Sequence, residues 1–409
     1  MRLVFLSLEF SAGTFSGNGI YGRSQVRSLS SLGHAMLVIS GKPPSSESSR
    51  IQEGAQELIE VELPEWGSLD ASSSWQDFAE RCSDGDILER VARFAPEAVL
   101  GVDWTSFQPY QRLQQGLEGQ KAPIPPYVFL NYRVYARSNS DSIILQLEQA
   151  AVQASLMTVA LSRSDAEYIT QHYLPAAAPA PCRPQVLLPA LRKDMERLAL
   201  PACGAAAQGG GRTRRLLLCC MRLSPEKEPQ RFVELAEALQ ARGVLARLGL
   251  TPLLCASATG EYAEGLKRRL KLAVPDAIIE ERFLGPADLA HIFAATVLNI
   301  HSCLYDAFGM TIVEAASQGA PSLVNAGGSV GATDLLLASE GEIIGVDMSQ
   351  PVGELAAFVD NLLSNKAQLL ADVGAAAAHK ARSWTEIANA EQLVRLLRDG
   401  LTAAGNDAA

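Results

Sequence analysis

Short apolar runs alternate with segments of helical periodicity along most of this chain, and that alternation narrows its possible folds more than any other feature. Residues 3–8 read as a buried strand, a Gly/Ser loop follows, a helix is expected near 20–32, and 35–40 form the next strand. Together they make a βαβ unit. The pattern continues with a helix at 89–94, strands at 98–102 and 127–130, a helix at 143–154 and a strand at 157–161. It breaks where Ala, Pro and Gly crowd out core residues, at 176–181 and again at 205–211, which reads as linker and insertion material. It then restarts with strands at 215–220, 252–256, 278–283, 297–301, 322–325 and 342–346, and with helices at 229–241, 262–272, 287–294 and 308–318. A chain of 409 residues is too long for one core. The expected fold class is therefore α/β with two doubly wound, Rossmann-like domains, 1–185 and 186–383. Ser383-Trp384-Thr385-Glu386 has the form of a capping box for a last helix over 384–409, with Trp384, Ile387, Ala390, Val394, Leu397 and Leu401 at helical spacing.

Composition excludes several function classes. A formal charge of -10 argues against a nucleic-acid partner, which needs a basic face. The seven cysteines form no Cys-x-x-Cys pair and leave an odd one over, a pattern that suits a reducing, cytoplasmic setting without structural zinc. The apolar start, Met1 to Phe10, is interrupted by Glu9 and reads as a first strand, not a signal peptide. No run approaches the roughly 20 apolar residues that span a bilayer, so any membrane contact is expected to be peripheral.

The chemistry concentrates in Leu304-Tyr305-Asp306-Ala307-Phe308-Gly309-Met310-Thr311-Ile312-Val313-Glu314-Ala315-Ala316-Ser317-Gln318-Gly319-Ala320-Pro321. A loop leaves a buried strand and opens a helix that Gly319 and Pro321 terminate. Amides at the helix start, around Gly309 to Thr311, favour an anion such as a diphosphate. Glu314 is placed to accept from a ribose diol, and Asp306 to meet sugar hydroxyls. The alternative is that Asp306 merely caps the helix and Glu314 is solvated.

This stretch resembles the E-x7-E signature of glycosyltransferase family 4, retaining transferases in which an E-G-F-G loop opens a helix bearing the second Glu. Here Asp306 replaces the first Glu and Ala307 the first Gly. Cys219-Cys220-Met221-Arg222-Leu223-Ser224-Pro225-Glu226-Lys227 is similar to the family's G-R-x-x-x-x-K-G segment. Cys220-Met221 stand in place of the Gly before Arg, and Glu228 replaces the Gly after Lys. Arg222 and Lys227 then face a diphosphate, the first as a planar fork and the second as a point charge. Without the resemblance, both read as surface residues.

Gly17-Asn18-Gly19-Ile20-Tyr21-Gly22 fits a dinucleotide fingerprint formally, but Glu9 is too far before it for the tight turn, and no acid ends the second strand to hold a ribose. The resemblance makes Gly17 and Gly19 part of a glycine-rich loop approaching the donor. Leu32-Gly33-His34 resembles the family's G-H-x-V, with a structural role for His34. Gly327-Gly328-Ser329-Val330-Gly331 is either the counterpart of the family's G-G-x-P-E turn, without its Pro and Glu, or a plain turn. Asp84-Gly85-Asp86 reads as a helix N-cap before it reads as a metal site. Asp103, Asn131 and Arg133, at the ends of expected strands, are the acceptor-side candidates, and Trp104 is equally well a core residue.

The resemblance implies a GT-B architecture with the two domains facing a cleft and the terminal helix packing back on the first. It implies a retaining transferase that moves a sugar from a UDP-, GDP- or ADP-sugar to a hydroxyl of a small molecule, glycan or glycolipid. No metal and no cofactor is required beyond the nucleotide sugar as co-substrate. Arg222, Lys227, Asp306 and Glu314 carry catalysis; Gly17, Gly19, Phe308, Gly309, Met310 and Thr311 hold the donor. A nucleotide-sugar epimerase and a non-catalytic sugar-nucleotide binder are the alternatives.

Overall fold

The structure, a computed structural model, describes residues 1–10, 17–44, 46, 54–66, 74–175, 183–196, 198 and 215–407. The loop before Gly17 and the Ala/Pro/Gly-rich stretches 176–181 and 205–211 lie outside the described residues.

The chain divides into two units, Met1–Pro189 with Glu386–Ala409, and Ala190–Thr385. The first holds β1 (Arg2–Ser7), β2 (Ala35–Lys42), β3 (Glu57–Glu62), β4 (Ala98–Val102), β5 (Tyr127–Asn131), β6 (Met157–Ala160) and β7 (Gln185–Val186), in the spatial order β3-β2-β1-β4-β5-β6-β7. The second holds β8 (Arg215–Cys220), β9 (Leu250–Cys255), β10 (Ile278–Glu280), β11 (Thr296–Ile300), β12 (Ser322–Asn325) and β13 (Ile344–Val346), ordered β10-β9-β8-β11-β12-β13. Strand pairing in both sheets is parallel. The expected α/β, doubly wound class is therefore what the chain adopts. Helices on both faces explain why β4, β5 and β12 are buried along their whole length and read as continuous apolar runs. In each sheet the order reverses once, between β1 and β4 and between β8 and β11. Loops leaving the carboxyl ends of those strands diverge there and open a crevice.

Several elements escape a periodicity reading. β3, Glu-Leu-Ile-Glu-Val-Glu, is an edge strand with one face wet, so it lacks the apolar run of its neighbours. The helices Phe107–Gly119 and Arg163–His172 carry too many polar residues to stand out. The expected strand 278–283 stops at Glu280, and Phe283 lies 82% exposed.

The capping box is also corrected. Ser383 is the last residue of the helix Ala367–Ser383, and its hydroxyl donates to the Lys380 carbonyl at 2.7 Å. The final helix, Glu386–Asp407, starts after it, and Trp384 lies between the two. Within the first unit, Arg27 donates to both oxygens of Glu386 at 2.6 and 3.2 Å, and the Asn389 amide donates to the Leu188 carbonyl at 2.8 Å and to the Tyr21 hydroxyl at 3.2 Å. No helix among the described residues is long and apolar enough to cross a membrane.

Gly374 lets the helix Ala367–Ser383 approach the turn that ends the helix Met310–Ser317. A Cβ there would overlap the Gly319 carbonyl and lie 3.5 Å from Pro321 Cδ. Gly374→Ala is thus expected to destabilise the second unit by about 1–3 kcal/mol, despite alanine's better helix propensity. Calorimetry checks this: one of two unfolding transitions should move down by roughly 2–4 °C per kcal/mol.

Candidate active site

At the reversal point of the second sheet, the loop after β8 meets the loop after β11. The first passes through a 3-10 turn, Pro225–Lys227, and ends on Glu228 in the left-handed region, φ 48 and ψ 41. A side chain there costs about 1–2 kcal/mol over glycine. Glu228 offsets that by tying the loops together. Its carboxylate accepts from the Leu304 amide at 2.7 Å and from Arg231 at 2.9 and 3.0 Å, and its carbonyl accepts from the Ser302 hydroxyl at 3.2 Å. The departure from the Lys-Gly pattern thus has a structural function.

This clamp sets Lys227 Nζ 2.9 Å from Asp306 Oδ2. The same oxygen lies 3.1 Å from His301 Nε2, and Asp306 Oδ1 accepts weakly from the Phe308 amide at 3.4 Å. Burial opposes ionisation of Asp306, but Lys227 and His301 outweigh it and hold the carboxyl well below the usual carboxylate range. Burial likewise opposes a charge on His301, and Cys303 and Asp306 outweigh it, raising its pKa. The backbone of Asp306 bridges in parallel to Val330, with Asp306 N donating to Ser329 O at 3.1 Å and Gly331 N to Asp306 O at 3.0 Å. The Gly327–Gly331 turn therefore buttresses the loop.

The helix expected over 308–318 begins two residues later, at Met310, because Gly309 is left-handed at φ 90. Among the described residues, the amides of Gly309, Met310 and Thr311 donate to no acceptor. Phe308 is buried behind them. Glu314 lies one turn on and is 3% exposed. Burial pushes its carboxyl up, while Arg192 Nη1, 3.3 Å from Oε1, pulls it back. Arg192 also pairs with Asp194 at 2.6 Å. Arg222 is exposed and pairs with no described residue. The Ser224 hydroxyl, in the same loop, is buried without a partner.

Sequence reasoning missed Arg192, Ser224, His301 and Cys303. His301 and Cys303 were legible as a His-x-Cys-x-x-Asp spacing, whereas Arg192 reaches Glu314 from 122 positions away. A cavity of about 460 Å³ opens beside the loop rather than at its ion pair, lined by Leu304, Asn325, Gly327, Ser329, Asp347 and Ser349. Its lining carries no basic group.

The first sheet has a counterpart at its own reversal point. Asp103, after β4, is 2% exposed and adopts φ 52 and ψ 176, a region nearly reserved for glycine. Its carboxylate accepts from Tyr132 N at 2.7 Å and from Asn18 Nδ2 at 2.6 Å. Burial pushes this carboxyl up to about 8. Asn18 belongs to the helix Gly17–Ser31, which starts three residues earlier than the pattern suggests. Gly17 and Gly19 thus sit in a first helical turn, not in a loop. Asn131 is fully buried; its amide donates to Glu148 at 3.0 Å, which ties it to the core. Arg133 is half-buried and lies 5.2 Å from the Tyr135 ring centre. Trp104 is core, edge-on to Trp75 and Tyr135. Asp84 takes the N-cap position of the helix Gly85–Phe94 without a side-chain cap bond and pairs with Arg81 at 3.3 Å.

No known protein family and no curated protein matches the sequence. By fold, the chain is similar to sucrose-phosphate synthase from Thermosynechococcus elongatus, with TM-score 0.77 and 15% identity over 98% of this chain and 99% of that one. It is also similar to HepE of Anabaena in complex with UDP and glucose, with TM-score 0.66 and 16% identity over 98% and 100%. A third similarity is to WaaG, a glycosyltransferase involved in lipopolysaccharide biosynthesis, with TM-score 0.68 and 16% identity over 96% and 99%. The chain shares their architecture of two Rossmann-like α/β units, the GT-B fold.

Proposed function

We propose that this protein is a retaining glycosyltransferase that takes a sugar from a nucleoside diphosphate and passes it to a hydroxyl acceptor. The observation that carries this reading is the pairing of Lys227 with Asp306 at a sheet reversal point, beside three free amides of a helix start. Lys227, Ser224 and those amides bind the diphosphate, and Arg222 adds a second cation. Negative charge grows on the β-phosphate as the sugar departs, and fixed donors in a poorly solvated crevice stabilise it. Asp306 orients the sugar and Glu314, steadied by Arg192, holds the ribose. The leaving phosphate accepts the acceptor proton, so no metal is required. The first unit with the terminal helix serves the acceptor, where Asp103 is the best-placed group.

The complex of HepE from Anabaena with UDP and glucose supports a UDP-sugar as the first donor to try. Thermal unfolding with UDP-, GDP- and ADP-sugars tests the reading. One of them at 100 times its Kd should add about 2.7 kcal/mol. Glu314→Ala should abolish that shift. Equal shifts with and without Glu314, or none with any donor, would refute the assignment.

A further inference from the structure

We propose that the loop after β11 binds a thiophilic divalent cation of the zinc class through His301 Nε2, Cys303 Sγ and the Asp306 carboxylate, and that this cation draws Asp306 away from Lys227. The three donor atoms lie within 4.8 Å of one another. His301 Nε2 is 3.1 Å from Cys303 Sγ and 3.1 Å from Asp306 Oδ2, so one ring nitrogen faces both a sulfur and an oxygen. A single N–H cannot align on both, whereas an ion in place of the proton satisfies all three. Imidazole, thiolate and carboxylate are the ligand types of zinc, with metal–ligand distances of about 2.0–2.3 Å. Tetrahedral bonding at those lengths separates the ligand atoms by about 3.5 Å, so the two 3.1 Å pairs would open slightly.

The surroundings suit an ion as well. His301 and Cys303 are buried, and Asp306 is 13% exposed, which leaves one side open to solvent. Gly309 stands beside the imidazole, where a Cβ would lie 3.6 Å from Nε2. Three protein ligands leave a fourth position for water. Binding releases the Cys303 proton and any second proton on His301, and the cation's two charges are balanced by thiolate and carboxylate. Mg²⁺ and Ca²⁺, which want oxygen ligands, are excluded by the sulfur and nitrogen.

Lys227 pays the electrostatic cost. Its ammonium shares Oδ2 of Asp306 at 2.9 Å, so a dication on that oxygen repels it. This coupling rests on the reading of Lys227 as a diphosphate ligand; the metal site does not.

The test uses the full-length chain, stripped with a chelator and titrated with Co²⁺ as the spectroscopic probe, then with Zn²⁺ by calorimetry. One equivalent should give a thiolate-to-cobalt charge-transfer band that Zn²⁺ abolishes and Mg²⁺ does not. Cys303→Ala should lose the band, and Cys255→Ser should keep it. His301→Gln, with far-UV circular dichroism unchanged, should weaken Zn²⁺ binding by at least roughly 10- to 100-fold, the range that even an outer-shell partner commands. A band of full strength in Cys303→Ala, or none in the wild type, overturns the site. UDP affinity measured with and without Zn²⁺ tests the coupling: it should fall at least tenfold in the wild type and stay constant in Cys303→Ala. Constant affinity in both would overturn the coupling, and absence of UDP binding without Zn²⁺ would count against the transferase reading alone.

Discussion

Lys227→Ala is expected to lower kcat/KM for the nucleotide-sugar donor by roughly 10²- to 10³-fold, the range seen when one preorganised donor to a developing anion is removed. The argument runs through the geometry of the pair. Lys227 Nζ sits 2.9 Å from Asp306 Oδ2 with both side chains largely buried, so on the proposed reading the ammonium is oriented before a diphosphate binds. Its removal takes away a positive charge and leaves Asp306 facing the ligand with only His301 for balance. Lys227→Arg keeps the charge but spreads it over a planar fork, and should recover part of the loss. Steady-state kinetics against donor concentration decides the matter, with thermal unfolding as control. If Lys227→Ala melts earlier but turns over donor normally, the pair is only a structural tie.

Asp103→Asn is expected to change the pH dependence of stability. Burial raises the Asp103 carboxyl from 3.8 to about 8, against the pull of Tyr132 N and Asn18, while Glu148 raises it further. Between those values the folded protein holds a proton that the unfolded chain has released, so stability falls as pH rises and levels off above the folded pKa. The loss that Asp103 contributes is on the order of a few kcal/mol over that window. Asparagine mimics the neutral acid and cannot ionise. Wild type and variant should therefore melt alike near pH 5 and diverge by about pH 9, with the wild type losing more. Parallel curves would mean that Asp103 stays ionised, as a solvated carboxylate would.

Periodicity located most of the fold because a strand buried on both faces must be apolar over its whole length, whatever it packs against. Strands 215–220 and 322–325 coincide with β8 and β12 residue for residue. β3 and the helix Phe107–Gly119 were not legible for the complementary reason: edge position and polar faces erase the period. Within the candidate site, Lys227 and Asp306 stand out only through the resemblance to the family's motifs, and the fold brings them into contact. Arg192 does not stand out, since its reach to Glu314 depends on where the chain re-enters the second unit. Glu228 was visible only as a departure from the family's Lys-Gly pattern, and its left-handed backbone and its ties to Leu304 and Arg231 came from the structure.

The amino-acid sequence by itself determined the class of the molecule: two parallel sheets, each wound in both directions, with a loop that opens a helix after a buried strand. Those features depend on local properties, on apolar runs, turn residues and amides left over at a helix end. Only the tertiary structure decided which side chains share an atom. It placed a lysine, an imidazole and a thiol around one carboxylate, held an aspartate in a conformation that glycine prefers, and moved the last helix's start past its apparent cap. Such juxtapositions follow from the path of the whole chain, and no window of residues contains them.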